Sequence, residues 1–368
     1  MYPCQLDLDE RSRNLTRIWK IQSASLEKDD IAIQEAASLI REGGIIAFPT
    51  ETVYGLGGDA TNDDAIQKIF LAKGRPADNP LIVHIAERNQ LHDFVSEIPA
   101  IYDPFIDAFW PGPLTLVFPL KARSLSKFVT AGLSSVGVRI PSDPVALRLL
   151  SYAKCPIAAP SANRSGRPSP TLGDHVRDDL EGRIDGILDC GPTGIGLEST
   201  VLSFQDNKLH ILRPGSVTCE LLKQVNAQIE IIDGGENTVV RETTPTSPGI
   251  KYTHYAPKGL LQLVTGPSKN EIFKYISSEL IQAKRRGETT GVMVFDEHEV
   301  SYQADLVIDC GRVLDPETIA QNLYHALRRF DEVGISYILS ETCPETGIGA
   351  AVMNRLRKAS NHRSIEIS

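Results

Sequence analysis

Apolar residues recur along this chain in two rhythms. Ile33, Ala36, Ala37 and Ile40 fall on one face of a helix that starts after Asp29-Asp30, with Asp30 as N-cap, and stops at Gly43-Gly44. Residues 45–48 read as a short buried strand, and Pro49 opens a loop. A second helix over 63–72 carries Ile66, Ile69 and Phe70 on one face and ends at Gly74. Strand signals follow at 81–86, where His84 interrupts an apolar run, and at 114–120, 136–140, 155–159, 184–188, 200–204 and 209–212. Helices are predicted over 144–153 and around 104–109. Strands and helices interleave, yet several strands are consecutive, which predicts a mixed α/β sheet rather than a strictly doubly wound one.

The rhythm changes after Gly215. Residues 217–257 include Asp233-Gly234-Gly235 and Ser247-Pro248-Gly249 and read as a linker. Beyond it, strands at 260–264, 292–295, 306–309 and 335–339 alternate with helices at 270–286, 316–333 and 349–360, the pattern of a smaller parallel, Rossmann-like α/β domain. The expected organisation is an extension over 1–28, a catalytic unit over 29–216, a linker or candidate lid over 217–257, and a C-terminal domain over 258–368.

At 368 residues the chain can bury a core in each of two domains. A net charge of −9 argues against a chain-wide nucleic-acid surface but leaves room for a local basic cleft. Six cysteines without a CxxC pair read as reduced thiols in a cytoplasmic protein. No apolar run reaches membrane-spanning length, and residues 1–20 lack a signal-peptide core. The standard phosphate-loop, zinc-protease, serine-hydrolase and kinase motifs are all missing from the sequence.

Three polar, Gly/Pro-punctuated segments hold the candidate chemistry: Pro49-Thr50-Glu51-Thr52-Val53-Tyr54-Gly55-Leu56-Gly57, Lys73-Gly74-Arg75-Pro76 with Asn79-Pro80-Leu81-Ile82-Val83-His84, and residues 160–171. Lys73 and Arg75 fit an anion site, Arg with a planar fork and Lys as a point charge. They equally fit cations complementing a helix dipole. Hydroxyls of Thr50 and Thr52 at a strand end suit a small polar substrate or a solvated turn. Arg139, in an otherwise apolar strand, needs an anion, either a structural carboxylate or a ligand's. His84 alone reads as a core histidine. Ser161 and Asn163 are a turn or a set of oxygen-binding donors.

Taken together, these segments with Ala159-Pro160-Ser161-Ala162-Asn163, Ser165-Gly166, Glu198-Ser199-Thr200-Val201 and Arg213-Pro214-Gly215 resemble the YrdC/Sua5 family of threonylcarbamoyl-AMP synthases, in order from about residue 29 to 215. The stretch 247–257 resembles the linker of two-domain Sua5 members, and the remainder resembles their C-terminal domain more diffusely. The resemblance implies an open twisted sheet with a concave basic cleft. It also implies a reaction: L-threonine, bicarbonate and ATP give threonylcarbamoyl-AMP and pyrophosphate. The product then passes to a threonylcarbamoyl transferase that installs t6A at position 37 of tRNAs reading ANN codons.

By that similarity Thr52, His84, Arg139 and Ser199 would touch threonine, with Ala159 contributing backbone. Arg75, Asn79, Ser135, Ser161, Asn163, Ser169 and Arg213 would touch ATP. Lys73 and Arg75 would offset phosphate charge during the chemistry. Mg2+ would accompany ATP, with no protein side chain assigned to it. Lys251, Tyr252, His254 and Tyr255 would form a lid over the cleft, or merely a tether. Two other functions stay open: an RNA-binding module with weak RNA contact, and a carbamoyl-transfer domain on the same fold.

Overall fold

A computed structural model describes residues 15–22, 26–233, 255–296 and 302–367. Its first unit is a mixed sheet of eleven strands: β1 (Arg17–Lys20), β2 (Ile46–Phe48), β3 (Gly55–Asp59), β4 (Val83–His84), β5 (Leu114–Pro119), β6 (Ser135–Arg139), β7 (Ile157–Ala158), β8 (Gly186–Asp189), β9 (Thr200–Gln205), β10 (Lys208–Arg213) and β11 (Ile231–Asp233). Their order is β1-β8-β2-β3-β7-β4-β6-β5-β9-β10-β11. The sequence of β2 shows why the sheet is covered on both sides. Ile46 and Phe48 join α1 (Leu26–Arg41) and α5 (Pro144–Ala153) in one core, whereas Ala47 joins α2 (Asp63–Lys73) in the other. Successive side chains of a strand point to opposite faces, so an uninterrupted apolar strand has to be buried twice.

Helix α2 starts and stops where its sequence dictates. Asn62 caps it by accepting from the Asp64 and Ala65 amides, and Gly74 takes the left-handed conformation (φ 61°) that ends it. Short helices α3 (Leu91–Phe94) and α4 (Asp103–Phe109) precede β5, and α6 (Gly173–Leu180) precedes β8.

The second unit is an all-parallel five-stranded sheet in the order β14-β13-β15-β12-β16. It comprises β12 (Leu260–Thr265), β13 (Thr290–Val294), β14 (Leu306–Asp309), β15 (Tyr337–Ser340) and β16 (Ser364–Glu366), with α8 (Lys269–Arg285), α9 (Pro316–Val333) and α10 (Ile348–Ala359). This is the Rossmann-like layering expected of the C-terminal domain.

Two boundaries change. The first 28 residues are not all outside the fold, because β1 pairs in parallel with β8 at one edge of the large sheet. The stretch 217–257 is not all linker: α7 (Cys219–Val225) follows Thr218 as N-cap, and β11 pairs with β10 at the opposite edge. The Gly and Pro of this stretch all lie beyond residue 233; its first 17 residues contain neither and form the helix and the edge strand. The lid candidates Lys251, Tyr252 and His254 lie outside the described residues, whereas Tyr255 is described and buried. The five described cysteines are free thiols. No described helix is long and apolar enough to cross a membrane.

The two units share a hydrophobic core in which Val53 and Leu197 pack with Ile319, Ala320 and Leu323 of α9. Polar contacts flank it: Arg328 Nη2 donates to Asp179 Oδ2 at 2.8 Å, and His175 Nε2 lies 3.2 Å from His325 Nδ1. The Thr171 amide donates to His175 Nδ1 at 3.2 Å, so the neutral His175 ring carries its proton on Nε2 and donates it to His325. Burial, with Arg328 charge second, pushes the His175 pKa down to about 3. A folded-state pKa below the unfolded value near 6.5 stabilises the protein above that pH and loses the effect as pH falls toward 3. The expected result is an acid-side decline in unfolding free energy that is shallower in His175→Gln by about 1.4 kcal/mol per pH unit, the worth of one proton. Urea titrations at pH 7, 6 and 5 read it directly.

Candidate functional site

The three polar segments converge through backbone hydrogen bonds. The Leu56 amide donates to Pro160 O at 2.8 Å, the Ala162 amide to Tyr54 O at 2.8 Å and the Tyr54 amide to Pro170 O at 2.9 Å. The first segment is thereby stitched to residues 160–170. The second joins them through Lys73, at the last turn of α2: its Nζ donates to Ser161 O at 2.5 Å and Asn163 O at 2.6 Å, while Ser165 N donates to Lys73 O at 2.9 Å. The helix-dipole reading of Lys73 does not describe this geometry. Its ammonium is 2% exposed and serves a neighbouring loop rather than its own helix end. Burial, then the nearby Arg75 charge, lowers its pKa well below the usual lysine value. An anion entering here would restore what burial and Arg75 take away.

Arg139 closes the other end. It stands at the C-terminal end of β6 and is 2% exposed. Nη1 donates to Thr52 Oγ1 at 3.0 Å and Nη2 to Glu51 Oε2 at 3.1 Å. Glu51 Oε1 and Arg139 Nε, both buried, have no hydrogen-bond partner. The structural carboxylate anticipated for Arg139 is thus present, and it leaves donor and acceptor capacity unused. Thr50 organises this loop: its Oγ1 donates to Val53 O at 2.7 Å and accepts from the Thr52 and Val53 amides.

His84, in β4 beside Arg139 in β6, is 6% exposed and lies edge-on to Phe48. Burial, with Arg139 charge second, pushes its pKa down to about 3, so the ring is neutral at physiological pH. Its Nδ1 is buried and unpartnered, unlike that of a histidine satisfied by the core.

Arg213 ends β10, donating from Nε to Ser199 O and from Nη2 to Ser199 Oγ, both at 3.1 Å. Ser199 Oγ also lies 2.8 Å from Thr115 Oγ1. Ser161 Oγ is held by Asn163 Oδ1 at 2.5 Å, and Asn163 Nδ2 closes the turn onto Arg164 O and Arg167 O. Arg75 Nη2 reaches Asn79 O and Pro80 O at 3.3 and 3.2 Å.

One cavity collects most of these groups. Thr52, Lys73, Arg75, His84, Arg139, Ala159, Ser161, Asn163, Ser199, Arg213 and Tyr255 all line it. Three anticipated residues do not. Asn79 sits just outside the lining, 1% exposed, with both amide atoms unpartnered. Ser169 is buried behind the wall, donating to Glu198 Oε1 at 2.6 Å. Ser135 opens β6 at the end opposite Arg139, about 13 Å away along the strand.

Glu198 is a residue the sequence reading passed over. It lines the cavity and accepts from Ser169, from Tyr324 Oη (3.0 and 2.9 Å to its two oxygens) and from Arg355 Nε at 3.0 Å. Burial favours its neutral form, but the charges of Arg355 and Arg213 override that and hold its pKa at about 2. Its place just before Ser199 in a motif was the only available signal. Tyr324 and Arg355, 126 and 157 residues downstream, gave none.

The arrangement suits two anionic ligands side by side: a carboxylate-sized anion near Arg139, and a polyphosphate near Lys73, Arg75 and Arg213.

Comparison with known proteins covers both units of the chain. The Sua5/YciO/YrdC family model, described as telomere recombination, matches residues 38–215. A model described as threonylcarbamoyl-AMP synthase, C-terminal domain, matches residues 217–361. The chain is 48% identical to the threonylcarbamoyl-AMP synthase of Bacillus subtilis, over 95% of this chain and 99% of that protein. It is 45% identical to the Pyrococcus abyssi threonylcarbamoyl-AMP synthase, over 91% of this chain and 96% of that one. Its fold superposes on the crystal structure of P. abyssi Sua5 complexed with L-threonine with a TM-score of 0.86 at 43% identity, covering 96% and 99% of the two chains. Likeness over nearly the full length, in both domains and in fold, places this chain in the threonylcarbamoyl-AMP synthase family, among its two-domain Sua5-type members.

Proposed function

We infer that this protein is an L-threonylcarbamoyladenylate synthase, a nucleotidyltransferase that converts L-threonine, bicarbonate and ATP into threonylcarbamoyl-AMP and pyrophosphate for t6A37 formation in tRNA. The observation that carries the reading is the single cavity onto which Arg139 and His84 open together with Lys73, Arg75 and Arg213.

Threonine's amine condenses with bicarbonate, releasing water, to give a carbamate. A carbamate oxygen then attacks the α-phosphorus of ATP. The new O–P bond forms as the α–β phosphoanhydride breaks, and pyrophosphate leaves with the electron pair. Both reactants are anions, so the protein's task is to hold them together and screen their repulsion. Arg139, with Thr52 beside it, presents the fork for the threonine carboxylate. Neutral His84 and the Arg139 charge both favour an uncharged amine over an ammonium, and carbamate formation needs the uncharged amine. Lys73, Arg75 and Arg213 face the phosphates.

Magnesium, when bound, adds charge neutralisation to the leaving pyrophosphate. Glu198 is committed to Tyr324 and Arg355, and the cavity's other named groups are mainly cations and hydroxyls. The ion's ligands would therefore be phosphate oxygens and water, the usual preference of magnesium. The product would pass to a threonylcarbamoyl transferase in the cytoplasm.

An RNA-binding function suits the site less well. Lys73, Arg139 and Arg213 are 2%, 2% and 6% exposed, whereas nucleic-acid backbones are met by exposed cations. The C-terminal domain match disfavours a carbamoyl-transfer module.

Mass spectrometry of reactions containing ATP, bicarbonate and each amino acid in turn tests the function. The expected product is threonylcarbamoyl-AMP, with pyrophosphate appearing only when threonine and bicarbonate are both present. Pyrophosphate release that ignores threonine would overturn the reading.

A further inference from the structure

We propose that Arg355 and Tyr324 of the C-terminal unit are positioning residues of the active cleft: they fix the Glu198 carboxylate, and through it Ser169 and Arg213, so that ATP affinity depends on the C-terminal unit. This rests on the synthase reading above.

The C-terminal unit meets the first at several points, and one of those polar contacts ends on a carboxylate of the cavity wall. Gln321 Nε2 donates to Gly194 O at 2.7 Å, in a separate groove between the units. Arg328 ends on Asp179 and Pro168 O. Glu198, by contrast, lines the cavity itself. Arg355 is fully buried, and its Nε–Glu198 bond is the ion pair that neutralises this carboxylate from the second unit. The Tyr324 hydroxyl shares its proton between both carboxylate oxygens and so fixes their plane.

The consequences run in two directions along the chain of contacts. Glu198 Oε1 accepts the Ser169 proton, which determines where that hydroxyl's lone pairs point. Residue 199 follows directly, and its carbonyl and hydroxyl both accept from Arg213. A Glu198 free to turn would therefore loosen one hydroxyl behind the wall and one guanidinium on the phosphate side of the cavity. Tyr255 packs in the same corner, its ring 5.1 Å from that of Tyr324 and within 6.0 Å of the Arg355 guanidinium. The last residues before the C-terminal unit are thus seated against the same node.

A merely structural bridge would show itself in unfolding, and a positioning role in substrate binding. Tyr324→Phe removes one hydroxyl and keeps the ring, and Arg355→Lys keeps the charge but loses the Nε geometry. Gln321→Ala cuts an inter-unit bond elsewhere and serves as the docking control. ATP affinity by titration calorimetry and steady-state pyrophosphate release are measured on the full chain, with Tm recorded for each variant. The expected result is a KM and Kd for ATP raised about tenfold in Tyr324→Phe, the worth of one hydrogen bond to a charged group. A larger rise is expected in Arg355→Lys, with kcat and the threonine KM changing less than threefold and Gln321→Ala matching wild type. Unchanged ATP affinity in both Glu198-contact variants, or equal losses in Gln321→Ala, would overturn the proposal. Wild type that binds ATP but releases no threonine-dependent pyrophosphate would instead remove the synthase reading, while the calorimetry would still report the coupling.

Discussion

Lys73→Ala is expected to lower threonine-dependent pyrophosphate release by roughly 100- to 1000-fold, the usual cost of losing one preorganised charge at a developing anion. The loss has two sources that the structure joins in one side chain. The ammonium faces the cavity, where it would screen phosphate charge. It also clamps Ser161 O and Asn163 O, so its removal leaves two carbonyls of the third segment without their donor. Lys73→Arg is not expected to rescue activity, because a planar guanidinium does not reproduce the ammonium's paired bonds to Ser161 O and Asn163 O. Stopped-time pyrophosphate assays on variants checked for folding by circular dichroism give the answer. Activity within fivefold of wild type in Lys73→Ala would take this residue out of the chemistry.

Arg139→Ala should act on the other substrate. Truncating one partner of a buried, hydrogen-bonded charge pair costs about 2–5 kcal/mol, so the KM for threonine should rise roughly 100-fold while ATP affinity is nearly kept. The variant also strands Glu51, whose pairing with Arg139 at 3.1 Å is nearly enclosed. A stability loss is therefore expected alongside, and Glu51→Gln in the same chain should recover stability without recovering threonine affinity. That split separates the structural role of Arg139 from its ligand role. A threonine KM that stays put in Arg139→Ala would mean the carboxylate is held elsewhere.

Much of this organisation was legible before any coordinates. The stop of α2 at Gly74 and the mixed character of the first sheet followed from caps and apolar bursts, and so did the parallel rhythm after residue 258. The convergence of the three polar segments was visible only as a family resemblance, since no local signal tells one loop which other loop it touches. Strand β3 was hidden for a different reason. Its Gly55-Leu56-Gly57-Gly58 reads as a loop because glycine disfavours strands. Packing demands glycine there, since a Cβ on Gly57 would come within 2.6 Å of Ile157 and 2.7 Å of Phe48. Glu198 and Arg355 show the limit of sequence reading most clearly, because nothing in either neighbourhood points to the other.

The separation of Glu198 and Arg355 also has a meaning in time. A ribosome adds about 5–20 residues per second, so the 157 residues between them take roughly 8–30 s to make. Throughout that interval a carboxylate destined for the interior lacks the Arg355 guanidinium, and the first unit cannot seal this corner even once β11 has been made. The corner closes only after Arg355 itself has been made. A nascent chain that has not reached residue 355 therefore carries an unfinished site.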